Sequence, residues 1–115
     1  MPRREARVTL AQMRDHAKEA LLMAQGQTRA DLDSDRKLNL ALVRLLEILG
    51  EAASRVPSED RATYPRIPWP QLITLRHRLI HGYDQVDFDI LWQILTGDLP
   101  PLVAELERIV PPEPR

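Results

Sequence analysis

The stretch LNLALVRLLEILGEAA, residues 38–53, carries the most regular hydrophobic pattern in the chain. Its apolar residues recur three and four positions apart, at Leu38, Leu42, Leu45, Leu46, Leu49, Ala52 and Ala53. This spacing places them on one face of an α-helix and is incompatible with the two-residue period of a strand. The stretch therefore predicts an amphipathic helix whose apolar face packs in a core.

The flanking sequence predicts further helices. A first helix is expected from Glu5 to Gln25, with Gly26 as its stop. A third begins near Pro70, a short fourth covers residues 88–95, and a fifth starts at Asp98 as N-cap, with prolines in its first turn. No strand pattern competes. We therefore predict an all-α, antiparallel bundle of four to five helices.

Prolines punctuate the link VPSEDRATYPRIPWP between the second and third helices. A single helical turn over Ser58–Ala62 fits between Pro57 and Pro65. Trp69 stands between two prolines, where it is expected to anchor the start of the third helix. We predict one helical domain over residues 1–110 and a proline-rich tail over 111–115.

The amino-acid composition of the chain excludes several kinds of site and argues against a membrane protein. The chain has 115 residues, a net charge of −1 and no cysteine, which excludes disulfides and a thiolate metal site. No run of about 18 apolar residues occurs, and no apolar signal region follows the charged start. A cytoplasmic location without membrane contact is expected.

The charges are segregated along the chain. Residues 61–83 contain no acidic side chain, whereas residues 84–107 contain no lysine or arginine. Two readings stay open. Helices could pair through complementary charges, or an anion site could lie beside a surface that binds a partner.

The segment LRHRLIHGYDQ, residues 75–85, places cationic side chains in a helical pattern. On a wheel of about 100° per residue, Arg76 lies in the middle of an apolar face formed by Leu72, Ile73, Leu79, Ile80 and Tyr83. A guanidinium keeps its proton and is costly to desolvate alone. Arg76 is therefore expected to meet a carboxylate, a polar cleft or a bound anion.

His81 projects about 140° from Arg76 on a regular helix, so the two side chains cannot converge there. Gly82 offers a helix end in the left-handed conformation, which would let His81 and Tyr83 turn back toward Arg76. A second copy of the chain across a two-fold axis could supply the same convergence.

These residues resemble a known signature. RHRLIH followed by GY is similar to the R-x4-H-x-Y pattern of HepT-like toxins, small helical ribonucleases of the HEPN superfamily. The resemblance extends to LEILGEAA, to YPRIPWPQLITLRHRLIHGY and to VDFDILWQILTGDLPPL. His77 stands where that family usually has asparagine.

The resemblance implies a HEPN-type bundle that dimerises through the region of the third helix. It also implies metal-independent cleavage of tRNA or mRNA without a cofactor, with Arg76 and His81 as catalytic residues at the dimer cleft. His77 and Glu51 are the expected supporting residues, Glu51 because its Gly-Glu-Ala context matches the family. By default, Glu47 and Glu51 belong to a solvated face opposite the apolar stripe.

Tyr83 is expected to be a modification site. HepT-like toxins are typically paired with a minimal nucleotidyltransferase antitoxin, and the resemblance implies that this partner attaches AMP to Tyr83. An alternative stays open, a non-catalytic dimeric module that binds nucleotide or a nucleotidyltransferase. A metal site of His77, His81 and Asp84 is conceivable but ranks well below ribonuclease chemistry.

Overall fold

The computed structural model describes residues 2–82 and 85–113. Eight α-helices, one π-helical turn and one two-stranded hairpin make up this part of the chain. In order they are α1 (Pro2–Ala24), α2 (Arg29–Ser34), α3 (Arg36–Arg55), α4 (Ser58–Thr63), α5 (Trp69–Ile73), α6 (Leu75–Leu79), β1 (Ile80–His81), β2 (Gln85–Val86), α7 (Phe88–Gln93), the π-helical turn (Ile94–Asp98) and α8 (Leu99–Ile109). The predicted all-α class is confirmed.

Helix α3 forms the centre of the bundle. It packs along α1 on one side and against α5 and α6 on another, while α8 closes over α1. All seven apolar residues of the 38–53 pattern are buried. Asp35 begins the helix, and its side chain accepts a hydrogen bond from the N–H of Leu38 at 3.0 Å. The hydrophobic period thus identified the helix that holds the core together.

The proline-rich link is organised around Trp69, as expected. Its indole Nε1 donates to the carbonyls of Arg61 and Tyr64, each at 3.1 Å. The ring is buried at the start of α5, and the predicted turn over residues 58–62 is present as α4. A buried indole N–H needs an acceptor, and the two carbonyls at the end of α4 provide it.

The third helix was predicted as one continuous helix, and this prediction is wrong. It divides at Thr74 into α5 and α6 and ends at Leu79, after which the chain enters β1. Leu72, Leu75 and Leu79 form its buried side. Because Leu75 lies about 100° from Arg76, Arg76 stands at the edge of the buried side, not in its middle. Its side chain is 71% exposed.

The fifth helix begins after Asp98 with prolines in its first turn, as predicted, but the Asp98 side chain does not cap it. Asp98 has helical backbone angles and makes no capping hydrogen bond, because α7, the π-helical turn and α8 run on without a stop. Pro100 and Pro101 lack the N–H groups that would complete the preceding α-helical turn. The chain instead forms a wider turn, in which the N–H of Leu99 bonds to the carbonyl of Ile94.

The helices of residues 2–82 and 85–113 include no candidate membrane span. None of them combines the length and the apolar character needed to cross a bilayer.

Candidate active site

Arg76 is held by a carboxylate from the central helix. Its Nη1 donates to Oε2 of Glu47 at 3.0 Å, which joins α6 to α3. The side chain of Glu47 is only 17% exposed, so its expected place on a solvated face is wrong. The other oxygen of Glu47 lies 3.7 Å from Nη1 of Arg44. One largely buried carboxylate thus lies between two exposed guanidiniums.

The Arg76–Glu47 pair lines a groove of about 260 Å³ between α3 and the α5–α6 segment. Glu51 also lines this groove, one turn after Glu47, but its ion-pair partner is Arg55 at 3.9 Å. Within the described chain Glu51 makes no ion pair with Arg76. The carboxylate that contacts the arginine is therefore Glu47, which sequence reasoning did not select.

Gly50 allows α3 and α5 to approach closely beside this groove. A Cβ atom at this position would lie 2.8 Å from the carbonyl oxygen of Leu72, closer than real Cβ contacts come. The contact is with backbone, which cannot rotate away. The Gly-Glu-Ala segment thus has a packing role, because its glycine sets the distance between α3, which carries Glu47, and the α5–α6 segment, which carries Arg76.

His81 lies in the hairpin rather than on the helix. It pairs with Gln85 across the two strands, and Ile80 pairs with Val86. Gly82 has a φ of +71°, so the predicted left-handed conformation is confirmed. Its role differs from the predicted helix stop, because α6 already ends at Leu79 and Gly82 begins the three-residue connection between the strands.

The His81 side chain is exposed and faces a carboxylate. Its Nε2 lies 3.6 Å from Oδ2 of Asp87, and 58% of the side chain is accessible. An imidazole can accept or release a proton near neutral pH, and an exposed one can do so with a bound ligand. Asp87 was not selected from the sequence, although its position before Phe88 is a recognisable N-cap signal.

The remaining predicted site residues are placed as follows. His77 is exposed on α6 and has no side-chain hydrogen bond or ion pair within residues 2–82 and 85–113. Tyr83, the predicted modification site, and Asp84 lie outside the described residues. The same part of the chain contains no cluster of three acidic or histidine side chains that could hold a metal ion.

Arg76 and His81 are not joined to each other in the described chain. Arg76 pairs with Glu47 on α3, and His81 pairs with Asp87 at the start of α7. The two predicted catalytic side chains therefore pair with different neighbouring elements.

The basic and acidic segments are joined by an arginine–aspartate ion pair as well as by the His81–Asp87 contact. Arg78 on α6 donates to Asp98 in the π-helical turn at 3.1 Å. This contact joins the basic segment to the acidic one, as expected if the helices pair through complementary charges.

Another ion pair lies within α8. Arg108 hydrogen-bonds Glu105 and holds the pKa of that carboxyl below its usual range.

A family model and several known proteins are similar in sequence to this chain. A family model described as ribonuclease HepT-like matches residues 13–109. A candidate RNase of Methanocaldococcus jannaschii is 30% identical over 110 residues, which cover 96% of this chain and 91% of that protein. The probable ribonuclease HepT of Thermococcus cleftensis is 37% identical over 79 residues, covering 69% of this chain and 72% of that protein. No solved structure gives a significant match.

Proposed function

The chain belongs to the HepT-like ribonuclease family of the HEPN superfamily, and on that premise we propose that it cleaves RNA without a metal ion, using Arg76 and His81. The observation that carries the proposal is their exposure. The Arg76 side chain is 71% exposed and that of His81 is 58% exposed, and both lie inside the matched range 13–109. A phosphodiester backbone can therefore reach each of them.

In the proposed reaction the ribose 2′-oxygen attacks the adjacent phosphorus. A bond from phosphorus to the 2′-oxygen forms, and the bond to the 5′-oxygen of the next nucleotide breaks. The 2′-hydroxyl loses a proton and the departing 5′-oxygen gains one, so the products are a 2′,3′-cyclic phosphate and a 5′-hydroxyl. His81 transfers one of these protons. DNA lacks the 2′-hydroxyl and is left intact.

Arg76 binds the phosphate and stabilises the negative charge that grows on it in the transition state. Its hydrogen bond to Glu47 uses Nη1. A guanidinium has five N–H donors, so several remain for phosphate oxygens. Glu47 thereby fixes the side chain without occupying its whole donor set.

His77 and Glu51 act as supporting residues. His77 is exposed one position after Arg76, where it can contact RNA. Glu51 lines the same groove as Arg76, so its carboxylate shapes the charge that the substrate meets. Neither is assigned a proton-transfer step.

A homodimer completes the proposed site. Within one chain Arg76 and His81 have separate carboxylate partners and no direct contact. A two-fold arrangement around α6 and the hairpin would place one protomer's arginine near its partner's histidine and would double the number of cations facing RNA. A small helical domain also gains stability from such association.

The proposed biological role is that of a toxin restrained by a minimal nucleotidyltransferase antitoxin, which attaches AMP to Tyr83. Gly82 and Gln85, the described residues on either side of the 83–84 segment, are exposed. A phosphate-linked group on Tyr83 would bring negative charge close to His81 in sequence and would repel RNA.

One observation favours a second candidate, a non-catalytic dimeric module that binds nucleotide or a nucleotidyltransferase. Arg76 already has a carboxylate partner at 3.0 Å, so a purely architectural role would satisfy its charge. In that case the protein itself would not cleave RNA, and Arg76 and His81 would have no catalytic role.

The two candidates differ in a direct assay. Purified unmodified protein is incubated with total tRNA in EDTA, beside Arg76→Ala and His81→Ala, and the ends of the products are analysed. Arg78→Ala is the matched arginine control, because Arg78 lies on the same helix but pairs with Asp98. His16→Ala, on α1, is the histidine control.

The proposed RNase requires cyclic-phosphate products from the parent and both controls, and their loss in the two site variants. Intact tRNA with the unmodified parent dimer would instead favour the binding module.

A further inference from the structure

Asp87, between the hairpin and α7, is fixed by four hydrogen bonds, one of them from the N–H of Leu91 to the Asp87 carbonyl at 2.9 Å. Its N–H donates to the carbonyl of Leu79 at 2.8 Å. Its Oδ1 accepts from the backbone N–H groups of Asp89 at 3.0 Å and Ile90 at 3.1 Å, which is an N-cap. The backbone and one carboxylate oxygen are therefore held by their own chain.

The second oxygen of Asp87 faces the proposed catalytic histidine. Oδ2 lies 3.6 Å from Nε2 of His81, with the Asp87 side chain 33% exposed. This distance is too long for a hydrogen bond, but it is a close contact for an imidazolium and a carboxylate. The pairing of His81 with Gln85 fixes the backbone of the histidine relative to the chain that leads to Asp87.

We infer that Asp87 is a positioning residue for the proposed RNase reaction, which keeps the His81 ring in place and stabilises the imidazolium that forms during proton transfer. The inference rests on the proposed function and deepens it. Asp87 contacts neither the substrate nor the reacting atoms, and no bond to it forms or breaks. It acts through its negative charge and through its fixed place at the start of α7.

A purely structural N-cap would need only one side-chain oxygen. Serine, threonine and asparagine cap helices about as well as aspartate. The orientation of Oδ2 toward His81 is not required for capping, so the negative charge at this position can be tested separately from the cap.

Asp87→Asn makes this separation, because asparagine retains an oxygen that can accept from the N–H groups of Asp89 and Ile90 but has no charge. Asp87→Ser is a second variant that retains a cap. Asp89→Asn is the matched control, since this carboxylate lies in the same helical turn but pairs with Arg29 at 2.7 Å. Asp87→Ala removes both the cap and the charge.

With an RNA substrate, Asp87→Asn and Asp87→Ser are expected to lower kcat about tenfold, a fraction of what a general acid or base contributes. The KM and Tm of Asp87→Asn and Asp87→Ser should match those of Asp89→Asn. Asp87→Ala should lower Tm as well as kcat. Asp87→Glu should recover part of the lost kcat. An unchanged kcat in Asp87→Asn, or a loss confined to KM, would overturn the inference.

A second measurement needs no catalysis. In the RNA-free protein, the Hε1 resonance of His81 should move in Asp87→Asn and stay in place in Asp89→Asn. If it stays in place in both, the contact does not exist in solution and the inference fails. If the wild-type protein cuts no RNA, the proposed function fails together with the catalytic role of Asp87, while the resonance still decides whether the contact exists.

Discussion

The guanidinium of Arg76 on α6 is bound by the carboxylate of Glu47 on α3, with 3.0 Å between Nη1 and Oε2 and 29 positions between the two residues in the chain. The same carboxylate lies 3.7 Å from Arg44. This relationship makes α3 more than a packing helix, because it determines where the proposed phosphate-binding side chain is held.

Glu47→Gln tests that relationship. Loss of the carboxylate leaves Arg44 and Arg76 without the charge between them, so RNA should bind more tightly while Arg76 is held less firmly. We expect a lower KM and a kcat reduced about threefold to tenfold, in line with an ion pair worth about 1 kcal/mol. Glu19→Gln, an exposed glutamate on α1 that does not line this groove, should leave kcat unchanged. Equal kcat values for the two variants would contradict the role of Glu47.

Gly50→Ala should destabilise the bundle. The new methyl group would press on the carbonyl of Leu72, a backbone atom, and overpacking of this kind costs about 1–3 kcal/mol. The midpoint of chemical unfolding should fall accordingly. Gly97→Ala is the control, since a Cβ there would meet no atom of residues 2–82 and 85–113 within 4 Å. A stable Gly50→Ala protein would show that α3 and α5 can separate without cost.

Gly82→Ala should affect activity more than stability. Gly82 has a φ of +71°, and a Cβ there would meet no atom of the described residues within 4 Å, so alanine adds backbone strain of about 1 kcal/mol without a collision among them. Strain relieved within the hairpin would displace His81, and cleavage should fall. Gly26→Ala, at a φ of +80° after α1, should cost similar stability. If both variants cleave RNA equally well, the hairpin conformation does not control His81.

The Glu105–Arg108 pair predicts a pH-dependent contribution to stability. The hydrogen bonds from Arg108 are the main reason that the pKa of Glu105 is lowered. A carboxyl whose pKa is lower in the folded state stabilises the protein above its unfolded pKa, about 4.3 for glutamate. This contribution is lost as the pH falls through the folded value.

Wild type should therefore unfold at a higher temperature than Glu105→Gln at pH 6–7, and the difference should shrink as the pH is lowered from about 5 toward 3. Arg108→Ala should show the same convergence with wild type, because it removes the other half of the pair. A Tm difference that stays constant over this range would rule out the ion pair as its cause.

The sequence determined the elements whose formation depends on local pattern. The period of the leucines predicted α3, the glycine at position 82 predicted a left-handed residue, and Trp69 between prolines predicted the anchor of α5. Each follows from forces that act within a few residues, namely burial of one helix face, the freedom of glycine at positive φ and the rigidity of proline.

Only the tertiary structure decided which side chains meet. Glu47 and Glu51 share a face of α3 and lie about 6 Å apart along its axis, so the sequence cannot say which of them lies opposite Arg76. The docking of α5 and α6 on α3, set at Gly50, selects Glu47. The contact of His81 with Asp87 likewise depends on the hairpin register, which depends on pairing between separate segments rather than on the pattern of either one.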